Sequence, residues 1–117
     1  MGKRPYYILE FNRDCEGYFS ETIYIGTNWK AALDRYVTAF QYIRKMDFLD
    51  EGVNEDDIEE RLNMPEHQLA PGESVCSYMN DQNECYDSLY LRCLYTNQFH
   101  APAWEGFYKE RYPNSKY

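Results

Sequence analysis

The stretch from Trp29 to Ile43 carries the clearest periodic pattern in this chain. Its apolar residues recur at steps of three and four, the spacing of one face of an α-helix; they are Trp29, Ala32, Leu33, Tyr36, Phe40 and Ile43. Thr27 and Asn28, which precede it, offer side chains that can cap the helix. We expect the helix to continue beyond Ile43 and to end before Asp50-Glu51-Gly52, and about 19 residues at 1.5 Å each give a rod of roughly 28 Å. Such a helix is long enough to cross a small sheet and has one apolar face to bury against it.

Four other segments have the composition of strands. Residues 6–11 and 18–25 are rich in aromatic and β-branched side chains, and a turn-like stretch between them predicts a hairpin. Residues 74–79 predict a short strand. Residues 87–96 fit both the alternation of a strand and the spacing of a helix. We favour a strand there, because turn residues bound the segment and it begins with poor helix formers.

Two further helices complete the predicted order. Asn54 can cap a short helix whose only apolar stripe is Ile58 and Leu62, and Pro102 stands where the first turn of a helix over 103–111 tolerates it. The order is ββα, a short acidic helix, then ββα. It predicts an α+β fold, with one antiparallel sheet and the helices packed on one face. We expect a single domain over 1–112 and a short C-terminal tail over 113–117.

The net charge is confined to residues 47–66. This segment holds nine acids and one base, Arg61, which gives −8, while the remaining 11 acids and 11 bases cancel. On the predicted short helix, Asp56, Asp57, Glu59 and Glu60 occupy the arc opposite the apolar stripe. A concentrated negative lobe on a neutral body favours a cationic partner. A solvated face without a binding role, with some acids simply favoured by the helix dipole, is the alternative.

Tyrosine and cysteine are the other informative residue types. The 13 tyrosines are too many to bury fully, so some are expected at the surface, either covering a small sheet or forming an interface. The four cysteines permit two disulfides. We expect free thiols instead, because no export signal is present and a cytoplasmic location is the default.

Several kinds of chemistry fit the sequence poorly. Cys76, Cys85, Cys93 and His100 lack the close pairing of structural zinc ligands. An EF-hand loop built around Gly52 would place Ile58 at the position of the bidentate acid. A Cys–His nucleophilic pair remains open, because such partners meet only in space. No run of 18 apolar residues is present, so we expect no membrane-spanning helix. The acidity opposes direct binding of nucleic acid.

The sequence therefore predicts a non-enzymatic, acidic protein-binding module without a cofactor or metal. Its most concrete form is an inhibitor that occupies the cationic nucleic-acid-binding surface of a basic partner protein. In size and acidity the chain resembles phage anti-defence and toxin-immunity proteins in type only. The carboxylates expected to bind the partner are Asp50, Glu51, Asp56, Asp57, Glu59 and Glu60. One alternative is a structural or adaptor subunit or a homodimer, with a tyrosine-rich interface and an exposed strand edge. The other is a small enzyme with a Cys/His or carboxylate centre.

Overall fold

The computed structural model describes residues 4–81 and 85–95. They form a five-stranded antiparallel sheet and one long helix, which confirms the α+β class. The elements in chain order are β1 Pro5–Asp14, β2 Tyr18–Gly26, α1 Trp29–Tyr42, a π-helix Ile43–Leu49, a 3₁₀ turn Glu55–Asp57, β3 Glu59–Arg61, β4 Ser74–Asn80 and β5 Tyr86–Tyr95. The Asn28 side chain caps α1 by accepting a hydrogen bond from the backbone N–H of Ala31 at 3.0 Å.

The strands lie in the order β2-β1-β5-β4-β3, and each neighbouring pair is antiparallel. The predicted hairpin of β1 and β2 is confirmed, and Gly17 in its turn has φ 151°, a value that favours glycine. The ambiguous segment 87–96 lies mostly in strand β5. Its side chains alternate between buried and half-buried positions, the period of two that a sheet imposes. Thr96 lies outside the described residues.

The core lies between α1 and one face of the sheet. Alternate residues of β1 and β5 point toward the helix, because successive side chains of a strand leave opposite faces. Leu9 and Leu91 pair in register at the centre of this face, where Tyr36 and Phe40 of α1 join them. A smaller cluster of Ile8 and Ile25, with Tyr6 and Leu94, lies on the other face. Burying a large apolar side chain contributes about 1.5–3 kcal/mol, so the helix face of the sheet is the main source of stability.

The predicted short acidic helix is wrong. After Asn54 the chain makes one 3₁₀ turn, and residues from Glu59 onward form β3, which pairs with β4. The spacing of Ile58 and Leu62 does not distinguish the two structures. Side chains four residues apart lie on the same face of a helix and also on the same face of a strand. Both side chains pack against the core, as a strand with period two requires.

The expectation of free thiols is wrong for two of the four cysteines. Cys15 follows β1 and Cys85 precedes β5, and a disulfide joins them with a Cα–Cα distance of 4.4 Å. The pair Asp14 and Tyr86 is the last in the β1–β5 register. The next position along both strands therefore places the two cysteines opposite each other. Cys76 and Cys93 are free, as expected.

Some sequence predictions concern parts of the chain beyond the described residues. These are the helix over 103–111, the tail over 113–117 and His100. The full ββα repeat is therefore not confirmed, and the division at residue 112 stays a prediction. Within residues 4–81 and 85–95, no helix is long and apolar enough to cross a membrane.

Candidate functional site

The acidic segment lies at the β3 edge of the sheet. It begins in the π-helix, passes through the 3₁₀ turn and ends beyond β3, the last strand in the order. The Asn54 side chain caps the turn by accepting a hydrogen bond from the backbone N–H of Asp56 at 3.0 Å. Asp56 and Asp57 thus lie in the turn, and Glu59 and Glu60 lie in a short strand. They do not form the row along one helix face that the sequence predicted.

Three basic residues outside residues 47–66, namely Arg13, Arg44 and Lys45, neutralise part of this segment. Arg13 of β1 contacts Asp47 at 2.7 Å. Lys45 of the π-helix contacts Asp50 at 3.1 Å. Of the six carboxylates expected to bind a partner, Asp50 is therefore paired within the chain, and a second pairing involves Glu60.

Arg44 holds the acidic turn to β3. Its Nη2 donates to Glu55 at 2.7 Å and its Nε donates to Glu60 at 2.9 Å. Glu60 points to the helix side of the sheet, because it alternates with Glu59 along β3. The hydrogen bonds to Glu55 and then Glu60 raise the pKa of Arg44, so the guanidinium stays charged.

Four of the six predicted partner-binding carboxylates remain outside this pairing. We define the acidic patch as Glu51, Asp56, Asp57 and Glu59, all of which are exposed. Within residues 4–81 and 85–95 they make no ion pair, although the Asn80 amide donates to Glu59 at 3.5 Å. Of the six predicted partner-binding carboxylates, Asp50 and Glu60 are thus paired within the chain, and the four of the acidic patch make no ion pair among the described residues.

A second charged cluster consists of Arg13 of β1, Asp87 of β5 and Asp47 of the π-helix, and its Asp87 carboxylate is buried. Arg13 donates from Nε and Nη2 to the two oxygens of Asp87 at 2.9 and 2.8 Å. The Arg13 guanidinium also lies 5.2 Å from the centre of the Phe11 ring. Hydrogen bonding to Asp87, the largest contribution, raises the pKa of Arg13 despite partial burial. This bidentate geometry holds β1 and β5 in a fixed relative position. Both oxygens of Asp87 accept hydrogen bonds from Arg13, so the pair has a structural role.

Tyr36 organises a polar network inside the core. Its hydroxyl donates to the carbonyl of Asn63 at 2.8 Å and is in contact with the hydroxyl of Ser77. The Asn63 backbone N–H donates to Ser77 at 2.8 Å. Burial raises the pKa of Tyr36. A phenol in this setting holds its proton, so it acts as a structural link between α1, the segment after β3, and β4.

The remaining thiols have the character of ordinary structural cysteines. Desolvation raises the pKa of both Cys76 and Cys93, whereas a reactive thiol needs a lowered pKa. Cys85 belongs to the disulfide and cannot serve as a zinc ligand. No group of three or more possible metal ligands occurs among residues 4–81 and 85–95. His67 contacts the Glu73 carboxylate at 3.1 Å.

An open cavity of about 360 Å³ lies between β2 and α1. Its apolar lining comes from Phe11, Ile23, Ala39 and Ile43, and Glu21 and Tyr42 also line it. The amino-acid sequence does not predict this cavity, because only the packing of α1 on the sheet determines where a gap remains.

The predicted exposure of some tyrosines is confirmed. Tyr18, Tyr42, Tyr86 and Tyr95 are exposed, and Tyr86 stacks on Tyr78 with ring centres 5.9 Å apart. Their use as an interface stays a prediction.

Comparison with known proteins gives no family assignment. No protein-family model matches the chain, and no curated protein or solved structure matches it significantly.

Proposed function

We propose that this protein is a non-enzymatic, acidic protein-binding module that occupies the cationic, nucleic-acid-binding surface of a basic partner. The inhibitor would be of the anti-defence or immunity type. The observation that supports the proposal most is the acidic patch. Its four carboxylates are exposed, and none of them takes part in the ion pairs described above. Such a concentration of one sign attracts an oppositely charged surface and accelerates association.

The internal ion pairs support the same role by holding the patch in place. Arg44 links the π-helix both to the 3₁₀ turn and to β3. A binding group that is already ordered loses less entropy on association than a flexible one. Arg44 therefore contributes to binding indirectly, by positioning the exposed carboxylates.

Protection of a sheet edge is the competing explanation for part of the charge. Short, charged edge strands prevent the pairing of one sheet with another. β3 has three residues, all exposed and all charged. This explanation covers Glu59 but not Glu51, Asp56 and Asp57, which lie in turns before the strand. Binding to a cationic partner would explain all four carboxylates of the acidic patch.

A matched pair of charge-reversal variants tests the proposal. The patch variant replaces Asp56, Asp57 and Glu59 by Lys, and the control variant replaces three other exposed acids by Lys, namely Asp14, Glu16 and Asp34. Both change the net charge by the same amount. Each immobilised protein is used to capture partners from host lysate at low and high salt, and the captured protein is then tested for loss of duplex-DNA binding.

We expect the wild type and the control variant to capture a basic protein, to block its binding to DNA and to release it at high salt. The patch variant should neither capture this protein nor block its binding to DNA. Equal capture by all three proteins, or capture that does not depend on salt, would contradict the proposal. Circular dichroism establishes that both variants are folded.

The proposed location is the cytoplasm, the compartment in which a nucleic-acid-binding partner would be met. The disulfide between Cys15 and Cys85 is the observation against it, because reducing compartments rarely keep structural disulfides. Rapid alkylation of thiols in intact cells, followed by mass spectrometry, decides the matter. Alkylated Cys15 and Cys85 support the cytoplasm, and a protected pair supports an oxidising compartment.

A further inference from the structure

The disulfide closes one end of the two central strands. Asp14 and Tyr86 form the last pair of the β1–β5 register, and Cys15 and Cys85 are joined at the next position. Both cysteines are partly exposed. Thiol–disulfide exchange requires access to a sulfur atom, and a bond at a partly exposed strand end is more accessible than one inside the core.

The turn that begins at Cys15 has an unfavourable backbone conformation. Glu16 has φ 57°, in the left-handed region that residues with a side chain rarely adopt. Such backbone persists only where its surroundings restrain it. The backbone N–H of Cys15 donates to the Gly17 carbonyl at 3.0 Å, and the disulfide holds Cys15 against the start of β5. Reduction removes the covalent restraint, so the turn and the end of β1 can relax.

An ion-pair cluster connects this strand end to the acidic segment. Arg13 lies two residues before Cys15, and its partner Asp87 lies two residues after Cys85. The same guanidinium contacts Asp47, the first acid of the acidic segment, at 2.7 Å. Because Arg13 and Asp87 face each other in the strand register, fraying of the strand ends displaces the guanidinium from Asp47.

We propose that the disulfide is a redox switch that sets how firmly the acidic segment is held. One thiolate of a thiol reductant attacks a disulfide sulfur, and a second thiolate releases the resulting mixed disulfide. Two electrons and two protons pass to Cys15 and Cys85, which become thiols, and the two reductant thiols are joined as a disulfide. The Arg13–Asp47 contact then weakens, whereas the buried Phe48 keeps the π-helix on the core. Reduction therefore loosens the acidic segment without unfolding the sheet.

The switch deepens the proposed function and rests on it, because the acidic segment carries the acidic patch. An ordered binding group loses less entropy on association, so the oxidised protein should bind a basic partner more tightly than the reduced one. The disulfides that occur in reducing compartments are usually transient, catalytic or redox-sensing. A redox switch is therefore compatible with the proposed location in the cytoplasm.

Hydrogen exchange of the oxidised and reduced proteins tests the switch without any partner. Reduction by dithiothreitol should accelerate exchange of the backbone amides over residues 43–50 about two- to fivefold, the factor that corresponds to loss of a partly exposed ion pair. The amides over residues 29–36 of α1 should keep their protection. In Asp47→Asn, the oxidised protein should already show the faster exchange over 43–50, and reduction should add little there. Cys76→Ser is the control, because it keeps the disulfide and should respond like the wild type.

Titration with glutathione establishes whether the folded protein can switch. In buffers of increasing reduced-to-oxidised ratio, the fraction of Cys15 and Cys85 that is trapped by alkylation should rise together with the exchange over residues 43–50. Far-UV circular dichroism should stay unchanged through this transition, because the sheet and α1 remain folded.

Acceleration confined to the strand ends, or an Asp47→Asn protein that responds like the wild type, overturns the coupling. A disulfide that glutathione reduces only as the protein unfolds overturns the switch. Equal capture of the basic partner by oxidised and reduced wild type, in the lysate experiment described above, overturns the regulation of binding. The patch variant keeps the disulfide and Asp47, so it should show the same redox-dependent exchange. Failure of the proposed function is therefore distinguishable from failure of the switch.

Discussion

Asp87 is the one charged side chain that is buried in the described part of the chain, with 1% of its surface exposed. An isolated buried carboxylate is unfavourable, because it loses its hydration. Two hydrogen bonds from Arg13 compensate for this loss, and they connect the two central strands. The cluster therefore illustrates how the fold retains a buried charge only where a partner of matching geometry faces it.

We predict that Asp87→Asn lowers the free energy of unfolding by about 1.5–3 kcal/mol, the usual contribution of hydrogen bonds to a charged group. Glu10→Gln is the matched control, since Glu10 contacts Arg92 at 2.8 Å near the surface of the same two strands. It should cost about 0–1 kcal/mol. Urea unfolding measures both. Equal losses would show that burial does not strengthen the Arg13–Asp87 pair.

Tyr36 makes stability depend on alkaline pH. Burial raises its pKa above the ordinary value of 10.0, so the unfolded chain releases this proton first. The stabilising contribution is complete below pH 10.0 and is lost as the pH rises through the pKa of the folded state. We expect the wild type to lose stability above this pH, and Tyr36→Phe to lose less over the same range.

Urea unfolding at about pH 8 and about pH 11 provides the measurement. Tyr42→Phe is the control, because Tyr42 is exposed and should leave the pH dependence of the wild type unchanged. If Tyr36→Phe and Tyr42→Phe lost stability equally on going to high pH, ionisation of Tyr36 would not be linked to folding.

At the scale of elements, β3 depends on contacts that are distant in sequence. The strand has only three residues and pairs on one side with β4. Its other support comes from Arg44, which contacts Glu60 in β3 and Glu55 in the turn before it. The same arginine therefore joins the helical segment to the edge of the sheet.

We predict that Arg44→Gln increases hydrogen exchange of backbone amides over residues 55–61, while the amides of β1 and β5 keep their protection. Lys45→Gln is the control. Lys45 contacts Asp50, only five residues away, and links no strand. Mass spectrometry of exchanged peptides gives the readout. Unchanged exchange over 55–61 in Arg44→Gln would mean that pairing with β4 alone holds the turn and strand.

For the whole molecule, the disulfide adds a covalent link to the longest pairing of the sheet. β1 and β5 are ten-residue strands paired along their full length, and their sequences are far apart. Such pairing is entropically costly to form, because the chain between the strands must close a long loop. The bond between Cys15 and Cys85 closes a loop with a sequence separation of 70.

Replacing both Cys15 and Cys85 by Ser should lower the free energy of unfolding by about 4 kcal/mol at most, the chain-entropy value for such a loop. Cys76→Ser, which removes a free thiol, should change it little. Thermal and urea unfolding of the oxidised proteins measure the difference. Equal stability of the double variant and Cys76→Ser would show that the disulfide does not constrain the unfolded chain.

The sequence by itself determined the elements whose pattern is local. The apolar stripe of α1, the Asn28 cap and the hairpin of β1 and β2 depend on neighbouring residues, and β5 could be recognised from its boundaries. The confinement of the net charge to residues 47–66 also follows directly from the sequence.

Only the tertiary structure decided how distant segments meet. A four-residue spacing fits a helix and a strand alike, and pairing with β4 made Glu59–Arg61 a strand. The sheet register brought Cys15 opposite Cys85, and Arg13, Arg44 and Lys45 determine which carboxylates of the acidic segment are paired within the chain. The physical reason is the same in each case: these outcomes depend on contacts in space, which local propensity and composition do not encode.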